Sequence, residues 1–220
     1  MSANVLRRDV SVGLHADLPM LEYLADPCLR PSLSASAVRT LVARSPMHAH
    51  AAHPRLGGAA SDESSRADVG TAAHATLLGG AERIAIVDSD DWRTKAAREA
   101  RDAARAADKI PILREQAAAL PAMVESARAT LANIGIDVDA GMTEHTAIWL
   151  EGETWCRARP DLIAESDYIV DYKTATNADP ASWIKSSMLA GGYPIQAAWY
   201  LRGVEPVLPG PPRDFLVLVG

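Results

Sequence analysis

The sequence predicts an α/β (α+β) fold, a small mixed central β-sheet flanked by helices, and three observations carry that prediction. Segments before residue 142 place apolar residues mainly at the helical spacings of three and four. From Thr143 the pattern changes to short strand-like runs separated by the turn-like LEGE and AESD. A helical stretch over 180–202 is then followed by a last strand, DFLVLVG. Helices on both sides of a short sheet belong to an α/β or α+β core. With 220 residues, 48% of them apolar, the chain can bury one such core. A single domain over 1–220 is therefore expected: an N-terminal helix and flexible loop over 1–66, a helical part over 67–142, and a sheet with its flanking helix over 143–220. No internal repeat is visible.

Taken in order, Leu33 to Ser45 reads as a short helix with Ser34 as its N-cap and Pro46 as its stop. Residues 54–66, PRLGGAASDESSR, have the glycine, serine and charge of a mobile loop or linker. RADVGTAAHATLLGG is a helix closed by Gly79 and Gly80, in which His74 precedes Leu77 and Leu78 by three and four and so shares their packed face. Residues 83–88 suggest a strand and Asp91 a cap. Residues 93–107 and 112–134 are rich in helix formers, the second segment restarted or kinked at Pro121. Strands follow over 143–150, 153–158 and 167–174, and the helical stretch after 180 breaks near Gly191–Gly192.

Composition narrows the function classes. The first twenty residues have no apolar core of signal-peptide length, and nowhere is there an apolar run of about 18 residues, so a cytoplasmic protein without a membrane span is expected. Cys28 and Cys156, far apart in sequence, support neither a disulfide framework nor a four-cysteine metal site. The net charge of −6 argues against broad wrapping of nucleic acid and leaves room for a local basic groove beside an acidic metal site.

The chemistry lies in RARPDLIAESDYIVDYKT, residues 157–174. A strand period of two puts Ile169, Asp171 and Lys173 on one face and Tyr168, Val170 and Tyr172 on the other. A buried charge is costly unless it is paired or binds a metal, so Asp171 needs a partner. Asp161, after Pro160 at the close of the preceding extended segment, is brought to it by a hairpin-like return. Two carboxylates suit Mg²⁺, which takes oxygen ligands and completes its shell with water and a substrate phosphate. Lys173 is then placed to stabilise phosphate charge or orient an attacking water. Arg157 and Arg159 share a strand face beside Asp161 and suit phosphate contact, that is, DNA binding.

The order LSASAVRTLV, GTAAHATLL, RARPDLI, VDYKT and YPIQAAWY, with nine residues between PD and DxK, resembles the PD-(D/E)XK nuclease superfamily over residues 10–220. Within it the chain is similar to the RecB/RecE-type branch, the RecE-like (exodeoxyribonuclease VIII-like) phage or prophage exonucleases. The resemblance implies that Asp161, Asp171 and the main-chain carbonyl of Tyr172 hold Mg²⁺, with Mn²⁺ able to substitute. It makes Lys173 the catalytic lysine, sets His74 at the metal, and places Gln196 and Tyr200 at the border of the site. Glu144 matches an acidic position of lambda-exonuclease-like members. The implied activity is digestion of linear double-stranded DNA to 3′ single-stranded overhangs, handed to a single-strand annealing recombination protein by a homo-oligomeric ring. The cysteines that clamp an iron–sulfur cluster in some RecB-type relatives are absent, which favours the RecE-like branch. The strand FLVLVG stops where relatives continue, which implies further C-terminal elements.

Plainer readings stand beside these. Asp161, Asp171 and Lys173 also suit a salt bridge closing a hairpin, and His74 a hydrogen-bonded core histidine. Tyr193, Gln196 and Tyr200 share a helix face and also suit core packing, and Glu144 a strand-end surface charge. MHAHAAH, with His48, His50 and His53, reads as a helix end in solvent because no carboxylate partner lies nearby in sequence. The arginines at 93, 98, 101 and 105, interleaved with Glu99 and Asp102, read as a solvated helix face. At the level of function the alternatives are a structure-specific endonuclease on the same core and a catalytically inert DNA-binding or assembly module.

Overall fold

A computed structural model describes residues 10–58 and 65–220, to which all structural statements refer. Part of the expected loop, residues 59–64, and the first nine residues of the N-terminal stretch lie outside the described residues. The described chain opens with strand β1 (Gly13–His15) and helix α1 (Met20–Leu24), then α2 (Ala35–Ala43) and α3 (Pro46–Ala52). Ser34 caps α2 as expected, its hydroxyl accepting the Ala37 N–H. Pro46, expected as a stop, instead opens α3 as its first residue, with Ser45 as cap. Proline lacks only an N–H that the first helical turn leaves unbonded.

Helix α4 (Ser65–Leu78) is followed by β2 (Ile84–Val87), α5 (Lys95–Ala106), β3 (Ile110–Leu113) and α6 (Arg114–Asn133). β2 and β3 pair in parallel. The helix expected from residue 112 therefore begins later, because the β-branched Ile110 and Ile112 join a strand. Helix α6 then runs through Pro121 without restarting. Thr94, not Asp91, caps α5; Asp91 instead accepts the Arg93 N–H two residues on.

The remaining strands are β4 (Met142–Thr143), β5 (Thr146–Glu151), β6 (Thr154–Ala158), β7 (Leu162–Ile163) and β8 (Tyr168–Lys173); helices α7 (Pro180–Trp183) and α8 (Tyr193–Val204) and strand β9 (Asp214–Val219) complete the chain. Besides the two-stranded β2-β3 sheet, two sheets form among the described residues, ordered β1-β5-β6 and β4-β7-β8-β9, the second mixed because only β8 and β9 run parallel. One bent hairpin, β4–β5 against β6–β7, runs through both of them. β4 meets β7 and β5 meets β6 in the same antiparallel register, and at the bend Glu144 donates its N–H to the Asp161 carbonyl at 3.0 Å. Glu144 has φ 52°, in the left-handed region, and this interrupts what the sequence suggested was one strand over 143–150.

β8 is buried on both faces. Val170 and Tyr172 enter a core with Leu77, Leu131 and Ile136. Ile169, on the opposite face, packs with Trp149, Tyr200 and Val204. The predicted alternation therefore holds, and Asp171 shares the α8 side with Ile169. Between α7 and α8 the chain makes a π-helical turn, Ile184–Met188, and Gly192 (φ 68°) starts α8 from the left-handed region, as the glycine pair suggested. No helix of the described residues is long and apolar enough to cross a membrane.

The second core depends on one close approach. A Cβ at Gly203 would strike the ring of Trp149, which is 2% exposed and fixed by its Nε1 donating to Glu151 at 3.0 Å. Gly203→Ala gains about 1 kcal/mol of helix propensity but overpacks a full site, at a typical cost of ~1–3 kcal/mol. Net destabilisation is expected, read as a lower midpoint in denaturant unfolding; an unchanged or raised midpoint would show that the ring moves freely.

Candidate active site

Asp161 sits where the hairpin bends, directly after Pro160, and is tied to the neighbouring strand. Its Oδ2 accepts the Tyr172 N–H at 2.7 Å and faces His74 Nδ1, carried by α4, at 3.3 Å. Asp171 is 1% exposed. Its Oδ1 accepts Gln196 Nε2 from α8 at 2.9 Å, and the same amide lies 3.1 Å from the Tyr200 hydroxyl. One helical turn separates Gln196 from Tyr200, so both reach from one face of α8. Lys173 Nζ lies 2.6 Å from Asp171 Oδ2 and 5.6 Å from the centroid of the Tyr193 ring, which is itself stacked on Trp183. Lys173 thus approaches Asp171 as an ion pair, yet Oδ2 accepts no well-directed hydrogen bond.

The electrostatics follow from crowding two carboxylates. Burial first, and then the charge of Asp161, push the Asp171 carboxyl up to about 6, with Lys173 pulling the other way. Burial disfavours the charged form of His74, but the hydrogen bond and charge of Asp161 outweigh it and leave the imidazole raised. Burial also holds the Tyr200 phenol well above its usual value. Tyr200 therefore serves as a neutral hydroxyl beside Gln196.

Asp161, Asp171, Lys173, His74, Gln196, Tyr200 and the Tyr172 backbone thus come together from four elements. Glu144, Arg159 and Arg157 do not join them. Glu144 pairs with Arg159 Nη2 at 3.1 Å, and Arg159 Nη1 also donates to the Leu18 carbonyl and to Thr146. Arg157, expected at a DNA-facing surface, is 4% exposed, with Nη1 3.2 Å from Asp26 Oδ1 and donating to Ser32. His48 and His50 are exposed, but His53 is buried: its Nε2 lies 3.3 Å from Asp26, a carboxylate remote in sequence. Arg105 pairs with Asp68, so that face of α5 is not wholly solvated. The reading of the sequence missed Asp26; its one local signal is the turn DPCLRPS, where Asp26 adopts φ 65°, a conformation that Asp tolerates.

Among the described residues no group of three or more His, Cys, Asp and Glu side chains is set to cage a metal ion by itself. The groups at the bend are of another kind: the carboxylates of Asp161 and Asp171, both hard oxygen donors, with a buried Asp171 Oδ2 that the Lys173 ammonium faces at 2.6 Å. That set fits a divalent cation of the Mg²⁺ type, which takes few protein ligands and keeps water.

Comparison with known proteins bears on family and fold. Residues 32–213 match the PD-(D/E)XK nuclease superfamily. No curated protein matches the chain. Among solved structures the chain is similar to a crystal structure from Eubacterium rectale named "Putative exonuclease", at 12% identity and a TM-score of 0.61, covering 92% of this chain and 72% of that one. At that identity the likeness is one of fold.

The raised Asp171 carboxyl has a consequence for stability. Its proton is held more tightly in the folded state than in the unfolded one, where the usual value is 3.8. The contribution is therefore fully present below about pH 4 and lost as pH rises through about 6, a shift of ~3 kcal/mol in order of magnitude. In buffer free of divalent ions, Asp171→Asn is expected to melt above the unsubstituted protein at pH 7.5, with the gap closing near pH 4. A gap that stays constant with pH, or a variant less stable at pH 7.5, would contradict the strained carboxylate pair.

Proposed function

The chain belongs to the PD-(D/E)XK nuclease superfamily, and on that premise we propose that it is a Mg²⁺-dependent exonuclease that digests linear double-stranded DNA from its ends. The observation that carries this reading is the convergence of Asp161, Asp171 and Lys173 with Gln196 and Tyr200 around one buried carboxylate oxygen. Asp161, Asp171 and the Tyr172 carbonyl hold the cation, and Mn²⁺ can substitute. When bound, the ion lowers the pKa of a water and neutralises the scissile phosphate. Gln196 fixes Asp171 through Oδ1 and leaves Oδ2 directed at the site. Lys173 donates to the charge that builds on the phosphate oxygens, and the ring of Tyr193 beneath it keeps the ammonium near the reacting group. His74, raised by Asp161, holds that carboxylate in place. In this reading Glu144 acts through Arg159 and not as a metal ligand.

The finer points rest on the RecE-like motif order. The product is a 3′ single-stranded overhang for an annealing protein of phage-type recombination. A homo-oligomeric ring holds the DNA by topology where a net charge of −6 does not.

Two measurements test this reading. Asp171→Ala is expected to abolish Mg²⁺-dependent cleavage. Lys173→Ala is expected to slow it by ~10²-fold, the scale of one lost electrostatic contact in the transition state, while calorimetric Mn²⁺ binding persists. Full activity in Asp171→Ala, or no Mn²⁺ binding in Lys173→Ala, would overturn the assigned roles.

The second compares DNA forms. Linear duplex is expected to be degraded while covalently closed circular duplex survives, with light scattering giving a mass above that of one chain. Equal cutting of both forms would point to an endonuclease on the same core, and no cutting of either to an inert DNA-binding module.

A further inference from the structure

Lys173 is the last residue of β8 and carries its ammonium on a flexible four-carbon stem. Among the described residues the carboxylate within ion-pair distance of it is that of Asp171, through Oδ2 at 2.6 Å. The same oxygen is needed for a cation, so a lysine held by that bond alone would swing free once the carboxylate is engaged elsewhere. The other neighbour of the ammonium is the Tyr193 ring, whose centroid lies 5.6 Å from Nζ. An aromatic face at that range attracts a cation without using a carboxylate.

What fixes that ring is Trp183. The two rings stack nearly parallel, 13° apart in plane with centroids at 5.2 Å, and the indole is 7% exposed. Sequence spacing alone does not bring them together. They are ten positions apart, and one continuous α-helix would set them about 15 Å apart along its axis. The chain departs from that helix twice. Residues Ile184–Met188 make the π-helical turn after α7, a rare form that recurs at functional sites, and Gly192 starts α8 from the left-handed region. A Cβ at Gly191 would come within 2.7 Å of the Tyr193 ring, so a glycine there lets the ring lie in the stack. Both ends of the turn are anchored: the Gly191 carbonyl accepts Arg39 Nη1 at 2.8 Å, and Asp179 caps α7 by accepting the Ser182 N–H at 2.9 Å.

A ring stacked on a buried indole has little freedom to tilt, and small displacements of a reacting group carry large costs in rate. We infer that Trp183 is a positioning residue for Lys173: it sets the Tyr193 ring as a seat for the ammonium that persists when Asp171 Oδ2 is engaged by a cation. Its effect passes through Tyr193. The inference deepens the nuclease reading and rests on it for the reaction that Lys173 serves.

Two measurements test it, the first without metal or DNA. The chain has four lysines, Lys95, Lys109, Lys173 and Lys185. After reductive ¹³C-methylation, the Lys173 methyl signal, assigned by its loss in Lys173→Ala, is expected to be displaced by the Tyr193 ring current from the position of a free lysine. Trp183→Leu is expected to return it toward that position, and Trp183→Phe, which keeps an aromatic partner, to leave it displaced. Trp183→Met, which fills the space with a flexible chain, is expected to behave as Trp183→Leu and covers the case in which the leucine variant does not fold.

The second measurement is cleavage of linear duplex in Mg²⁺. Trp183→Leu is expected to lower kcat about 10-fold while KM stays within about 2-fold, the pattern of a weakened transition-state contact, and Trp183→Phe to restore most of the rate. In the Lys173→Ala background Trp183→Leu is expected to slow cleavage no further, because a residue that acts through Lys173 then has nothing left to position. A Lys173 signal that stays displaced in both Trp183→Leu and Trp183→Met, or further slowing in the Lys173→Ala background, would overturn the inference. Absence of cleavage by the unsubstituted protein would overturn the nuclease reading instead, and the methyl signals would still decide whether Trp183 holds Lys173 in place.

Discussion

The bond from the Tyr172 amide to the Asp161 carboxylate is the constraint on which the site is built. It joins the bend of one hairpin to the central strand at the residue following Asp171, so the two carboxylates cannot drift apart to relieve their repulsion. The cost appears in the raised Asp171 carboxyl, and the two clusters that clamp β8 from opposite faces bear it. Tyr172 serves both purposes. Its side chain fills the core beside α4, with its ring 5.3 Å from that of His74, while its backbone fixes the acid.

The N-terminal segment supplies the other half of the architecture. Asp26, with no side-chain exposure, gathers the Ser32 N–H and hydroxyl, His53, Arg55 and Arg157, and so ties residues before α2 and after α3 to β6. Removing one partner of such a buried cluster typically costs ~3–5 kcal/mol, because the remaining charges are left uncompensated.

What was legible in the sequence depended on range. The alternation of β8 could be read because both faces of a central strand follow a period of two, and the Gln196–Tyr200 pair because a helix repeats every three to four residues. The cap at Ser34 and the glycine break before α8 are likewise local. Pro46, Ile110 and Glu144 were harder, because each is decided by a neighbour in space: Ser45 offers a cap, β2 offers an edge, and the Asp161 carbonyl draws the Glu144 N–H into the bend. Arg157 and His53 could not be placed at all without Asp26, since their common partner comes from a segment with no periodicity of its own. The residues of the candidate site were singled out through the order of their motifs; composition offered no hint of them.

An overall charge of −6 and a site for a polyanion are compatible once charge is followed locally. The acids that matter are few, Asp171 buried and Asp161 partly so, and a cation is their natural complement. On the opposite side of Gln196 the balance reverses: Arg55 and Arg157 share the single acid Asp26, and Arg39 bonds only a main-chain carbonyl, that of Gly191. Gln196 stands at the boundary, its amide donating toward Asp171 on one side while it lines a cavity together with Arg39 and Arg157 on the other. A neutral residue is required at that point. A glutamate would add a third carboxylate against Asp171, and a lysine would compete with Lys173 for it. The amide alone orients the acid without altering the sign of either half.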